Sequence, residues 1–263
     1  MPIQTRDILG VRVHQISLDQ LRKLCLEWLT VATPTSHHIV TVNPEYVMAA
    51  KRDPHFAQVL NNADIAIADG AGIVWASKKL YGMQGQVTRI TGTDFSWELA
   101  RLCAAQGKKM YLLGARSDEV AQKAGIAFRR AYPELHIVGM RAGVSKEGSK
   151  EPYFKEFFKD AEMKALLDEI RKAAPDVLLV AYGAPKQDMW IAQYLKELPS
   201  VKIAMGVGGA LDYAAGVVPR ASRWMRTLGL EWLFRLLNSP IRRWRRIVTA
   251  TVEFPLAVRK AKK

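Results

Sequence analysis

Short apolar runs alternate with amphipathic stretches along most of the chain. The runs read HIVTV at 38–42, ADIAIA at 63–68, KMYLL at 109–113, DVLLVA at 176–181 and VKIAMGV at 201–207. Between them, apolar residues recur every three or four positions, which is the period of a helix with one buried face. This alternation is typical of a parallel sheet covered by helices. We therefore predict an α/β fold with a mostly parallel sheet and flanking helices.

Small or polar residues close each of these apolar runs. In open α/β sheets the ligand crevice lies at the carboxyl ends of the strands, so the closing residues are the first candidates for a binding site. The candidates at these positions are Thr41, Asn43, Asp69, Gly114, Lys186, Gln187, Gly208 and Asp212.

Two roles are open to Asp69, which follows the run at 63–68 and precedes Gly70-Ala71-Gly72. A carboxylate that faces the crevice can act as a general base, and the small residues beside it let a ligand approach closely. Alternatively, Asp69 caps the next helix through hydrogen bonds to first-turn N–H groups.

Arg89 opens the segment RITGTDF at 89–95, where a turn leads into a helix that starts at Thr93 or Asp94. An arginine beside Thr91 and Gly92 can hold a diphosphate through charge-assisted hydrogen bonds. A surface arginine paired with a carboxylate is the other interpretation, and the spacing leaves both open.

The segment GAPKQD at 183–188 joins an apolar run to a helix. Lys186 and Gln187 at a helix N-terminus suit an anion or a phosphate. The alternative is a solvated first turn, which the Gly-Ala-Pro sequence disfavours because those residues shape a specific loop.

Several enzyme classes lack their signatures here. Gly114-x-x-Ser117 supplies only half of a dinucleotide turn, and a P-loop, a G-x-S-x-G motif and a histidine pair at metal spacing are missing from the sequence. Asp64 and Asp69 do not form an Asp-x-Asp metal clamp. We therefore expect no nicotinamide cofactor and no bound metal. Cys25 and Cys103 have neither metal-ligand nor disulfide spacing, which suits a reducing cytosol.

Positive charge is concentrated at the C-terminus. The chain carries a formal net charge of +14, and from Arg220 onward twelve Lys and Arg face only two Glu. Such asymmetry indicates a phosphate-bearing partner. Met225, Leu228, Trp232 and Leu236 recur at helical spacing among these arginines, and three interpretations stay open for them. In the first interpretation the residues pack on the parent domain. In the second they form a membrane-surface helix with interfacial tryptophans. In the third they bind nucleic acid, which no recognition motif supports.

The sequence predicts neither a signal peptide nor a membrane span. Met1 to Gly10 lacks a charged segment followed by an apolar one, and the apolar stretch Ile247 to Val258 is too short and contains Glu253 and Pro255. We divide the chain into an α/β core at 1–216 and a basic helical appendage at 217–263. The polar segment Ser145 to Lys159 is predicted to be an exposed loop that leads into a helix.

These pieces, in this order, resemble the WecG/TagA/CpsF glycosyltransferase family. The matching segments read TVNPEYV (41–47), ADGAGIVW (68–75), RITGTDF (89–95), YLLGA (111–115), PDVLLVAYGAPKQDMWI (175–191) and GVGGALDYAAGVVPRASRWMRTLGLEWLFRLLNSP (206–240). They are spread over nearly the whole chain. The resemblance implies a Rossmann-like fold and an inverting transfer of a sugar from a UDP donor to a sugar carried on a polyprenyl diphosphate.

The resemblance also implies roles for individual residues. Asp69 matches the proposed catalytic base, Thr41 and Asn43 line the same pocket, and Arg89 stabilises the leaving diphosphate in place of a metal. The remaining positions predicted to bind substrate are Lys186, Gln187, Gly208, Gly209, Asp212, Arg220, Arg223 and Arg226. The last three belong to the C-terminal appendage, which in this family is thought to close over the active site and to meet the membrane.

We therefore predict a metal-independent hexosyl- or N-acetylhexosaminyl-transferase of envelope polysaccharide synthesis. Its expected partners are a UDP-sugar, a polyprenyl-diphosphate-linked saccharide and the anionic inner face of the cell membrane, with no nucleic acid. Off the membrane, an apolar stripe on the appendage allows a homo-oligomer. The alternative is a non-catalytic, basic membrane- or nucleic-acid-binding protein on the same scaffold.

Overall fold

A computed structural model describes residues 3–32, 35–142, 160–222, 224–225, 233–234, 244 and 246–262. These residues form two compact units. The first takes the described parts of Met1–Leu18, Thr41–Thr91 and Pro219–Lys263, and the second takes those of Asp19–Val40 and Gly92–Val218. The predicted division at 216/217 stays a prediction.

The strands form a two-stranded hairpin, β1-β2, and a six-stranded parallel sheet with the order β4-β3-β8-β7-β5-β6. Their bounds are β1 (Thr5–Ile8), β2 (Val11–His14), β3 (His37–Val42), β4 (Ile65–Ala68), β5 (Lys109–Ala115), β6 (His136–Ala142), β7 (Val177–Val180) and β8 (Ile203–Gly206). Strands β4, β7 and β8 are buried throughout. Near-continuous apolar runs are expected of parallel strands that are covered on both faces.

Helices connect the strands of the parallel sheet. They are α1 (Leu18–Thr30), α2 (Pro44–Arg52), α3 (Pro54–Asn62), α4 (Ala71–Tyr81), α5 (Gly92–Ala105), α6 (Asp118–Ala131), α7 (Asp160–Ala173), α8 (Lys186–Tyr194) and α9 (Ala210–Ala214), with a C-terminal π-helical turn Thr249–Glu253 that continues into α10 (Phe254–Ala261). Local signals set several of their starts. Asn43, Asp53 and Ser117 each accept a first-turn backbone N–H, and Pro44 and Pro54 occupy first helical positions.

In the first unit, the hairpin is tied to the parallel strand β4 by a buried side chain. His14 Nδ1 accepts a hydrogen bond from the Ala66 backbone N–H at 2.9 Å. This bond requires an unprotonated Nδ1, and burial, followed by the charge of Arg12, lowers the pKa of His14 to about 4. The hydrogen bond between the hairpin and β4 therefore depends on a neutral His14.

The C-terminal helix packs on α2 and α4 within the first unit. Phe254 and Val258 are fully buried on its inner face. Two ion pairs fix the same helix to α2, Arg246 with Glu45 and Glu253 with Arg52. Asn43 caps α2, and Asp69 lies just before α4. The C-terminal helix therefore packs on the two helices that follow these candidate residues.

The second unit has its own apolar core on one face of β5, β7 and β8. Tyr111, Leu178 and Ala204 of these strands pack with Ile170 of α7 and Trp190 of α8, all fully buried. The Tyr111 hydroxyl donates to Glu169, so the polar end of this aromatic ring is satisfied at the rim of the core.

The structure confirms the predicted α/β class, the five predicted parallel strands and a helix near the C-terminus. It adds two features that the sequence patterns did not indicate, the β1-β2 hairpin and the sixth parallel strand β6. The predicted loop at 145–159 lies outside the described residues, as do Leu228, Trp232 and Leu236 of the predicted apolar stripe.

Candidate active site

Four candidate residues of the first unit converge at the carboxyl ends of β3 and β4. Thr41 is buried near the end of β3, and the next residue, Val42, accepts the Asp69 backbone N–H at 2.7 Å. Asn43 follows directly. This backbone bond sets Asp69 beside the end of β3, as the sequence predicts.

The backbone of Arg89 lies against the last residue of β4. Ala68 and Arg89 form an isolated parallel bridge, and the Ile90 N–H donates to the Ala68 carbonyl at 3.0 Å. The buried Ser77 hydroxyl of α4 accepts the Val87 N–H at 3.1 Å, which fixes the segment leading to Arg89. Arg89 is therefore brought next to Asp69 by main-chain contacts, although the two residues are 20 positions apart in the sequence.

The N-cap of α4 is Gly70, not Asp69. Gly70 has φ +104°, a conformation that favours glycine, and it turns the chain between Asp69 and the helix. Asp69 stands one position before the cap, half-buried at the end of β4. The N-cap position therefore belongs to Gly70, and the Asp69 carboxylate lies at the carboxyl edge of the sheet, where its role as a base stays a prediction.

Asn43 has a structural task as well. Its side-chain oxygen accepts the Tyr46 N–H at 3.0 Å and caps α2. The NH₂ end of the amide is the part that can donate elsewhere. Just beyond it, Pro44 packs so closely on α4 that a Cβ at Gly72 would lie 2.6 Å from its Cγ. Glycine at 72 therefore lets the first turns of α2 and α4 touch.

In the second unit, Lys186 and Gln187 begin α8 directly after the turn that closes β7. Burial lowers the pKa of the half-buried Lys186 amine because an ammonium group is poorly solvated there. A bound anion would offset that cost. Gln187 is almost wholly buried, at 1% exposure, so it is not part of a solvated first turn.

Gly208 and Gly209 form the turn after β8, and Gly208 has φ +52°. The short helix α9 follows and carries Asp212, which pairs with Arg116 through Nε and Oδ2 at 3.0 Å. Arg116 is an exposed residue at the carboxyl end of β5 that the sequence did not single out. The only sequence signal for it was its place after Gly114, at the end of a predicted strand.

The basic C-terminal candidates are only partly described. Arg220 is half-buried in the first unit, whereas Arg223 and Arg226 lie outside the described residues. Among the described residues, we find no group of three or more His, Cys, Asp or Glu arranged to hold a metal ion. Within the same residues, helices with the length and apolarity needed to cross a bilayer are absent.

Comparison with known sequences places this arrangement in a family context. A sequence model of the glycosyl transferase WecG/TagA/CpsF family matches residues 6–263. The chain is also similar to proteins named N-acetylglucosaminyldiphosphoundecaprenol N-acetyl-beta-D-mannosaminyltransferase from Staphylococcus aureus strains MRSA252 and MW2. Each is 30% identical over 241 residues, which covers 92% of this chain and 86% of the relative.

Proposed function

The chain belongs to the WecG/TagA/CpsF family of glycosyl transferases, and from this premise we propose that it moves a sugar from a UDP-sugar to a saccharide on a polyprenyl diphosphate. The observation that carries the proposal is the convergence of Asp69 and Arg89 at the end of β4, fixed by main-chain contacts of Ala68. A carboxylate and a guanidinium on neighbouring loops supply the base and the cation that such a transfer requires.

In the proposed reaction, an acceptor hydroxyl attacks the anomeric carbon from the face opposite UDP, so the configuration inverts. The new glycosidic C–O bond forms as the bond from carbon to the UDP oxygen breaks, and UDP leaves with that electron pair. Asp69 takes the hydroxyl proton. The position of Asp69 before the glycine turn supports this role, because Gly70 and Ala71 place little side-chain bulk beside the carboxylate.

Arg89 is proposed to stabilise the charge that develops on the leaving diphosphate. A guanidinium binds phosphate oxygens in a bidentate, charge-assisted way, and it is fully charged at all working pH values. Thr41 and Asn43 would position the reacting groups at the neighbouring strand end. We propose that this set works without a divalent metal, so activity is expected to persist in EDTA.

The second unit is proposed to bind the donor. Lys186 at the start of α8 and the Gly208-Gly209 turn suit an anionic diphosphate, since a helix N-terminus and a turn N–H such as that of Gly209 attract phosphate, while the Gly208 N–H is already donated to Gln187. The lowered pKa of Lys186 supports this, because an anion would stabilise its charged form. Asp212, held by Arg116, would accept hydrogen bonds from donor hydroxyls.

The names of the relatives guide the choice of sugars. Those proteins are named for transfer of N-acetylmannosamine to N-acetylglucosaminyl-diphosphoundecaprenol. We propose the same acceptor class here, with N-acetylmannosamine as the first donor to test and hexoses as the second. The product would enter an envelope polysaccharide.

We propose that the protein acts at the cytoplasmic face of the cell membrane, and the C-terminal helix supports this proposal. Val248, Val252 and Leu256 are exposed at four-residue spacing, opposite the buried Phe254 and Val258. An exposed apolar stripe on a basic helix is the pattern of a helix that lies in the membrane interface. Arginines near an anionic surface contribute roughly 1 kcal/mol each. Arg220, Arg223 and Arg226 are proposed to act with this surface on the anionic substrates.

The proposed function is tested by measuring UDP release. The protein would be incubated with UDP-N-acetylmannosamine, UDP-N-acetylglucosamine or UDP-glucose, together with a short-chain polyprenyl-diphosphate-linked N-acetylglucosamine, with and without EDTA. Acceptor-dependent release that survives EDTA supports the proposal and identifies the donor. Release that needs Mg²⁺ contradicts the metal-independent mechanism, and the absence of release with every pair contradicts the proposed activity.

A further inference from the structure

One buried side-chain oxygen joins the two glycine turns of the second unit. Gln187 Oε1 accepts the Gly208 N–H at 2.9 Å and the Gly183 N–H at 3.2 Å. Both glycines have positive φ, +76° at Gly183 and +52° at Gly208. The Gln187 N–H also donates to the Gly183 carbonyl at 3.0 Å, which closes the loop 183–187. The turns after the adjacent strands β7 and β8 therefore share one acceptor.

A buried carboxylate lies beside the other end of this amide. A Cβ on Gly206 would lie 2.6 Å from Asp188 Oδ1 and closer still to Gln187 Nε2, so both side chains pack against the same glycine of β8. Asp188 is fully buried at 0% exposure, and His38 Nε2 lies 3.4 Å from its Oδ1. Only glycine at 206 admits this packing.

The placement of Asp188 favours the same orientation of the Gln187 amide as the two turn N–H groups do. With the oxygen toward the two turn N–H groups and the NH₂ toward the carboxylate side, donors face acceptors at both ends. Reversing the amide would set NH₂ against two N–H donors and a carbonyl against a carboxylate, so both ends would be repulsive. A negative charge at Asp188 therefore favours the orientation that holds the turns.

We propose that Asp188 is a positioning residue for the donor site, acting through Gln187 on the turns at Gly183 and Gly208. This inference rests on the proposed function, in which the donor diphosphate meets the Gly208-Gly209 turn and Lys186, which follows the Gly183 turn directly. Gln187 then works chiefly by shaping the backbone: its oxygen already serves two N–H groups, and the donor meets the turns that it sets.

A purely structural role makes a different prediction for Asp188. Burying a carboxylate is costly, and replacing it by a neutral group of the same shape is often neutral or stabilising for the fold. A positioning role instead requires that Asp188→Asn loosen the turns and weaken nucleotide binding while thermal stability is kept. These expectations separate the two roles.

The experiment combines amide hydrogen exchange at Gly183 and Gly208 with UDP titration and thermal melting. In Asp188→Asn we expect exchange at both glycines to rise about tenfold, and the Kd for UDP to rise about tenfold, the scale of one lost hydrogen bond. Gln187→Met, which removes the acceptor, should raise exchange at both glycines at least as much. In the transferase assay, Asp188→Asn should raise the donor KM more than it lowers kcat.

The matched controls make the same chemical changes at residues that do not contact the Gly183 and Gly208 turns. Asp168→Asn alters an exposed carboxylate on α7 that pairs with Arg171, and Gln193→Met alters an exposed amide on α8. Both should leave exchange and UDP affinity unchanged. Unchanged exchange at Gly183 and Gly208 in Asp188→Asn would overturn the positioning role. Because exchange needs no nucleotide, failure of the parent protein to bind UDP would count against the proposed function alone.

Discussion

The two compact units hold their candidate residues in opposite ways. In the first unit the main chain does the holding: Val42 and Ala68 fix Asp69 and Arg89 through backbone hydrogen bonds. In the second unit a side chain does it, since the amide of Gln187 holds the backbone of Gly183 and Gly208. A side chain whose polar atoms hold the backbone, as in Gln187, has little hydrogen-bonding capacity left for the reaction. A side chain that is positioned by its own backbone, as in Asp69, keeps its functional group for the reaction.

This difference matches the two halves of the proposed reaction. Proton transfer needs a side-chain carboxylate, which the first unit presents at Asp69. Diphosphate binding is commonly done by the backbone of glycine turns and by helix N-termini. In the second unit Gln187 takes the Gly183 and Gly208 N–H groups and so sets the turns beside Lys186 and Gly209, which are proposed to meet the diphosphate. Substitutions can therefore separate the two roles: a change at Asp69 should reduce turnover, and changes at the turns of the second unit should reduce donor affinity.

The largest effect, and the clearest separation of turnover from donor affinity, is expected from Asp69→Asn. Loss of the general base should lower kcat by about 10²- to 10⁴-fold, because an amide cannot accept the hydroxyl proton. The Kd for UDP should stay within about twofold, since no group of the second unit is altered. Initial-rate kinetics and calorimetric titration measure the two quantities on the same protein.

Asp64→Asn is the matched control for this substitution. Asp64 is an exposed carboxylate just before β4, on the same strand segment as Asp69. It should leave kcat unchanged. Equal losses in both variants, or an Asp69→Asn protein of near-parental activity, would remove Asp69 from the mechanism.

His14, like Ser77, is an exception within the first unit, because its side chain holds backbone, here that of β4. Its folded-state pKa is lowered to about 4 from 6.5, so the unfolded chain binds a proton more readily. Stability should be complete above about pH 6.5 and fall as the pH drops toward 4, by about 3 kcal/mol in total. Urea unfolding between pH 4 and pH 8 measures this loss.

His14→Asn tests the assignment of that pH dependence. The asparagine side-chain oxygen can accept the Ala66 N–H in place of Nδ1 and does not titrate in this range. The difference in unfolding free energy between parent and variant should therefore shift by about 3 kcal/mol between pH 8 and pH 4. A difference that stays constant across this range would show that another group carries the acid sensitivity.

The sequence was a good guide where one local signal decides the outcome. Buried parallel strands are continuous apolar runs, so five of the six parallel strands were predicted near their observed positions. β6 was missed because its residues, HIVGMRA, are mostly half-buried and include glycine and arginine. The hairpin was missed because β1 is polar and short, and it is held by a hydrogen bond from β4 rather than by a strong apolar pattern.

The candidate site was predictable in position but not in detail. Strand ends locate Asp69, Lys186 and Gln187 without any structure. The identity of the N-cap at Gly70 and the shared oxygen of Gln187 depend on three-dimensional approach between segments far apart in the chain. Asp188 illustrates the limit, since a carboxylate in a helix first turn is ordinarily an exposed dipole partner, and here it is buried against Gly206.

Two glycine substitutions compare the supports of the two units directly. Gly72→Ala would press a methyl group on Pro44, next to Asn43, and Gly206→Ala would press one on Gln187 and Asp188. Each should destabilise the protein by about 1–3 kcal/mol through overpacking. Beyond that shared cost, Gly72→Ala should lower kcat with UDP affinity kept, and Gly206→Ala should weaken UDP binding. The same kinetic profile for both variants would contradict the division between the units.

The smallest effect on function is expected from the exposed apolar residues of the C-terminal helix. An exposed apolar residue of the second unit serves as the comparison. Val252 and Leu256 of the first unit are 49% and 50% exposed, and Ile126 of the second is 62% exposed. If the C-terminal stripe enters the membrane interface, Val252→Ser with Leu256→Ser should weaken binding to vesicles containing phosphatidylglycerol about tenfold, since each residue inserts only part of its surface. Ile126→Ser should leave binding unchanged. Vesicle flotation at two salt concentrations measures both, and equal binding by all three proteins would exclude the stripe as the membrane-contacting surface.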